Sequence, residues 1–119
     1  MHNFEKLLFW QKSIHLAKKI YLISHKISSD ERFGLISQMK RSAVSIPSNI
    51  AEGSGRNSEK EFNHFLAIAL GSAFELQTQL ILSKELELLD DVSANDLIAD
   101  VSEIQKMIYS FKNKLVKKS

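Results

Sequence analysis

At 119 residues and a net charge of +2, the chain is one domain in length, enough to bury a core without covalent staples. It has no cysteine, which excludes disulfides, zinc–thiolate sites and thiol nucleophiles and fits a reducing compartment. The opening Met1-His-Asn-Phe-Glu-Lys6 lacks the basic-then-apolar layout of a signal peptide, and no apolar run approaches the roughly 20 residues of a bilayer span. A soluble cytoplasmic protein without a membrane partner is the expectation.

Residues 7–27 read as the first helix. One stripe is Leu7, Trp10, Ile14, Ala17 and Tyr21; a second is Phe9, Leu16, Ile20, Ile23 and Ile27, interrupted at Ser13. Together they cover about half the circumference, so the helix should touch at least two neighbours. Its outer face carries Lys12, His15, Lys19 and Lys26, with Lys18 nearby. Ser28 to Glu31 has the spacing of a capping box, and the second helix follows with Leu35, Met39, Ala43, Ile46 and Ile50 on one face. Pro47, the only proline, falls inside that run without a phase jump, which favours one kinked helix over two short ones. Gly53 and Gly55 suit its C-terminal cap.

A second capping box, Ser58 to Glu61, opens the third helix, with Phe62, Leu66, Ala69, Ala73, Leu76 and Leu80 inward. Beside that stripe, Ala67, Gly71 and Ser72 are small enough for another helix to come close. After Asp90-Asp91, Ser93 with Asp96 is expected to cap the fourth helix, in which Leu97, Val101, Ile104, Ile108, Phe111 and Leu115 repeat at 4-3-4-3-4 spacing. No stretch shows the period-2 alternation of a strand. Four helices of about 20 to 28 residues with short connections make an all-α, antiparallel up-down-up-down four-helix bundle, one domain over residues 1–119 with a proline-kinked second helix.

Charge is spread unevenly: net +5 over residues 1–56, −8 over 57–103 and +5 over 104–119. This fits a basic face for a polyanion or charge-matched self-assembly, and equally antiparallel helices whose surfaces neutralise one another. The Lys12, His15, Lys19, Lys26 stripe with Lys40-Arg41 could track a phosphate backbone or be a solvated face. Because the aromatics fall mainly at core positions, base stacking is not indicated.

Catalytic patterns are thin. Glu61-Phe-Asn-His64 matches half of a di-iron motif, but no second copy exists, and a surface histidine is the better account of His64. No serine stands in a nucleophile elbow. Neither a metal site nor a cofactor is expected. Gly53-Ser-Gly-Arg56, just before the third helix, could form an anion site, though a glycine helix stop followed by a solvated arginine is the preferred account. The small polar stretch from Ser42 to Asn49 reads either as a device for close packing at the kink or as a contact with an identical subunit.

The block Ser45-Ile-Pro-Ser-Asn-Ile-Ala-Glu-Gly-Ser-Gly-Arg56 resembles the signature of the 23S rRNA intervening-sequence proteins. Arg32-Phe-Gly-Leu35 with Gln38 and Arg41, Gly71-Ser-Ala-Phe-Glu-Leu-Gln-Thr-Gln-Leu80 and the opening Phe4-Glu-Lys-Leu-Leu-Phe-Trp-Gln-Lys-Ser13 are similar to that family's other blocks. The resemblance implies a bacterial four-helix bundle assembling as a ring of five, from genes within intervening sequences of large-subunit rRNA genes. A similar sister group comprises accessory proteins of the reverse transcriptases of diversity-generating retroelements, with a basic surface for nucleic acid. No catalytic residues are established for the family.

The combined expectation is a non-enzymatic homo-oligomer that binds RNA or a ribonucleoprotein. Phosphate contacts would come from Lys12, Lys18, Lys19, Lys26, Arg41 and Arg56, while Ser45, Pro47, Asn49 and Glu52 would hold the kink or the subunit contact. The rival expectation is a protein-binding scaffold ring whose charge only drives assembly.

Overall fold

Residues 2–27, 30 and 32–118 are described by a computed structural model, the side chains of 32, 33, 117 and 118 excepted. Four helices carry the fold: α1 (Leu8–Ser24), α2 (Ser37–Ser54), α3 (Glu59–Glu85) and α4 (Asp91–Lys118). A 3-10 turn, Phe4–Lys6, precedes α1, and a π-helical segment, Arg32–Ile36, leads into α2. No strand occurs among the described residues. α1 packs on α2 and α4, and α3 packs on the same two, giving a rod of 46 × 21 × 19 Å.

Helical periodicity decides the core. Met39, Ala43, Ile46 and Ile50 of α2 are buried, as are Phe62, Leu66, Ala69, Ala73, Leu76 and Leu80 of α3 and Leu97, Val101, Ile104, Ile108 and Leu115 of α4. These stripes follow the expectation from the sequence except at Leu35, which lies in the π-helical segment before α2, and Phe111, both only half-buried. On α1 the two stripes are buried to different depths: Phe9, Leu16 and Ile20 are fully buried, with Ile27 just beyond, whereas in the other stripe Leu7, Trp10 and Ala17 are half-buried against the core and Ile14 and Tyr21 are exposed.

Helix ends depart from expectation where local hydrogen bonding prevails. α1 stops at Ser24, three residues early, because the amides of His25, Lys26 and Ile27 close tight turns onto Leu22, Ile23 and Ser24. With 17 and 18 residues, α1 and α2 fall short of the expected 20 to 28. The capping box expected from Ser28 to Glu31 rests on residues outside the described set. At α3 the Ser58 hydroxyl accepts from the Glu61 amide at 3.1 Å, as its capping box implies. α4 begins earlier than expected: Asp90, not Ser93, is the cap, its carboxylate accepting from the Ser93 amide at 2.9 Å. That bond holds the Asp90 carboxyl below its ordinary range.

The α3–α4 turn is a Schellman closure, with Glu87 N–H on Lys84 C=O and Leu88 N–H on Ser83 C=O. Its left-handed position is held by Glu87 (φ 60°), where glycine is the usual occupant. Gly53, by contrast, lies inside α2 rather than at its cap. A Cβ there would meet Phe65 Cβ at 2.6 Å and Phe62 Cδ1 at 2.9 Å, so glycine is required for α3's approach. α2 itself passes through Pro47 as one element, not two.

By length and composition α3 is apolar enough to cross a membrane, which the sequence reading did not anticipate. In the bundle its apolar residues divide between the inner stripe and an exposed set, Ile68, Phe74, Ile81 and Leu82.

Candidate nucleic-acid interface

Two of the four lysines expected on the outer face of α1 are occupied from within. Lys12 Nζ lies 2.7 Å from Glu103 of α4, and Lys19 Nζ lies 2.8 Å from Asp100 and 3.3 Å from Asp96. The hydrogen bond to Asp100 raises the Lys19 pKa above its ordinary value; burial opposes it, and the bond to Asp96 adds to the rise. Arg56 donates to Glu52 at 2.6 Å within one helix end and lies 4.6 Å over the Phe65 ring. Lys40 stands 5.0 Å from the centre of the Tyr21 ring. Lys18, Lys26 and Arg41 are exposed and make no ion pair among the described residues. Of the six cations expected to touch phosphate, three thus form ion pairs with acids of the chain and three form none among the described residues, although the charge of Lys26 contributes to holding the Asp90 carboxyl low.

Ser45, Pro47, Asn49 and Glu52 do not form one cluster. The Ser45 hydroxyl meets that of Ser72 on α3 at 2.8 Å, and Asn49 Nδ2 donates to the Ser45 carbonyl and hydroxyl at 2.8 and 3.0 Å. These two residues serve the α2–α3 seam. Pro47 faces the other side, in an apolar trough between α1 and α2 with Phe4, Trp10, Ile14, Ala17 and Val44. Glu52 is exposed and holds Arg56.

The anion cradle considered at Gly53–Arg56 has lost its donors, since the amides of Gly55 and Arg56 bond Glu52 and Gly53 carbonyls in the last turn of α2. Glu61 belongs to the α3 cap, and His64 is exposed with its ring against Phe65. No group of three or more His, Asp or Glu side chains with metal-site geometry occurs among the described residues. Of the small residues on α3, Ser72 meets α2, while Gly71 has open space where its side chain would be.

Some contacts went unnoticed in the sequence. His2 bonds Glu59 at 2.9 Å and sets its ring tilted against Phe62 and edge-on to Phe111, its amide donating to the Ser54 carbonyl, so the first residues strap one end of the bundle. Aromatics are expected mainly at core positions; Phe9 and Phe62 are buried, whereas Tyr21, Phe74 and Tyr109 are exposed. The acid-free run after Glu103, with Lys106, Ser110 and Lys114 four residues apart, was the available signal for the outer face of α4.

Residues 5–110 match the sequence profile of the 23S rRNA-intervening sequence protein family. The chain belongs to that family. A crystal structure from Bacteroides thetaiotaomicron, described as a protein with unknown function from the S23 ribosomal protein family, superposes with a TM-score of 0.83. The two are 27% identical, over 88% of this chain and 98% of the other. No curated protein matches the sequence. For this intervening-sequence protein, family and fold therefore agree.

Proposed function

We propose that this intervening-sequence protein is a non-enzymatic, cytoplasmic RNA-binding bundle that works as a homo-oligomer, a ring of five being the form to test first. The observation that carries the RNA reading is the set of exposed cations, Lys18, Lys26 and Arg41, none of which forms an ion pair among the described residues. Up-down-up-down connectivity is supported by the order of the cross-helix pairs: Lys12 with Glu103 and Lys19 with Asp96, then Asn63 with Lys112 and Lys84 with Asn95. A bend at Pro47 is supported by its interior place in α2, where it removes one backbone donor. Self-association is supported by two separate exposed apolar surfaces, the α1–α2 trough with Ile14 and Val44 and the outer side of α3 with Phe74 and Leu82.

A second reading, a scaffold ring without nucleic acid, is favoured by the internal pairing of Lys12, Lys19 and Arg56. Binding of the purified protein to structured ribosomal RNA across a salt series separates the two. On the RNA reading, log affinity falls linearly with log salt, by about 0.7 to 0.9 per phosphate contact. Absence of binding at low salt, with the oligomer intact, leaves the scaffold.

A further inference from the structure

We propose that the outward face of the C-terminal half of α4 is a platform for single-stranded RNA, distinct from the cations of α1 and α2. Ile104, Ile108 and Leu115 turn this half of the helix inward. Lys112 is also drawn in, its ammonium donating to the Asn63 backbone carbonyl at 3.0 Å and side-chain oxygen at 2.8 Å, with burial pulling its pKa down. Lys106, Tyr109, Ser110, Asn113 and Lys114 are left exposed.

Spacing arranges them. Lys106, Ser110 and Lys114 follow at i, i+4 and i+8, placing the two ammonium-bearing residues about 12 Å apart along the axis. Tyr109 and Asn113 form the adjoining row, so the ring lies between the two lysines in axial height. Tyr109 is 60% exposed. No acid follows Glu103 in the sequence, and Glu103 is paired with Lys12. Beside Lys106 and Lys114, the apolar atoms of Phe9, Met107 and Phe111 line a surface groove.

Cations near a helix C-terminus complement the helix dipole, which accounts for lysines there. It does not account for a large aromatic ring left in water among them. Phosphate-tracking cations interleaved with an aromatic plane are what an unpaired strand needs, because its bases offer free faces for stacking and those of a duplex do not.

The test is fluorescence anisotropy of the full chain with a short uridine oligomer and with an RNA duplex of equal length. Tyr109→Ala should weaken oligomer binding about tenfold or more and leave duplex binding unchanged, whereas Tyr109→Phe, which keeps the ring, should retain it. The double variant Lys106→Gln, Lys114→Gln should flatten the log–log salt slope by about 1.4. Circular dichroism confirms that these surface variants fold. Unchanged oligomer binding in Tyr109→Ala overturns the platform, as does binding of structured ribosomal RNA without any binding of the oligomer; the latter result leaves the function proposed above standing. Anionic vesicles captured through the same residues, with no RNA bound, would also overturn it and assign the face to a lipid surface.

Discussion

Between α2 and α3 the helices meet through glycine, hydroxyls and small side chains, whereas between α1 and α4 they are joined at the rim by long charged side chains. At the first seam Gly53 lies under Phe62 and Phe65, Ser45 meets Ser72, and the Ser83 hydroxyl donates to the Gln79 carbonyl beside Met39 sulfur. At the second, Lys12 and Lys19 reach across to Glu103, Asp96 and Asp100. Close approach leaves no room to adjust, so the α2–α3 seam depends on shape. Ion pairs at a wet rim tolerate displacement, and solvent screens them. The comparison separates where this fold is brittle from where it can be redesigned.

The sharpest way to break it is Gly53→Ala. The added methyl has no free volume against Phe65 and Phe62, so destabilisation of about 1–3 kcal/mol is expected in urea unfolding. Ser72→Ala, which removes the buried partner of Ser45, should cost about 1 kcal/mol. The double variant Ser45→Ala, Ser72→Ala should be less destabilised than the sum of its singles, and a double-mutant cycle that adds perfectly would show the hydroxyls to be independent.

Lys19→Met should have the smallest effect, at most about 1 kcal/mol, because the pair is partly exposed and screened. The effect should shrink as salt is raised. Its pH dependence has a definite sign. A pKa raised on folding means the native state holds its proton more tightly. The contribution of Lys19 is therefore complete below the ordinary lysine value of 10.5 and is lost as pH rises through the higher native value. A wild-type minus Lys19→Met difference that stays constant up to strongly alkaline pH would contradict the pairing.

How far the site was legible follows the same division. The inner stripes of α2, α3 and α4 could be read from spacing, since a helix maps sequence period directly onto a face. Helical spacing puts Lys12 and Lys19 on one face of α1, but it carries no information about which acids come opposite them. Tyr109 falls outside the strict apolar spacing of α4, so periodicity alone does not distinguish it from the aromatics Phe9, Phe62 and Phe111 that meet at one end of the bundle. Glycine near a helix end usually marks a helix stop, so spacing alone suggests one at Gly53; its close approach to Phe62 and Phe65 of α3 is set by packing.

By itself the sequence determined the all-α class, the core stripes and the family, because each rests on local period or a contiguous motif. The packing of the helices decides instead which cations are neutralised, how deeply each stripe of α1 is buried and why Gly53 has no side chain. Those outcomes depend on distances between residues far apart in the chain, and such distances are set when the helices pack.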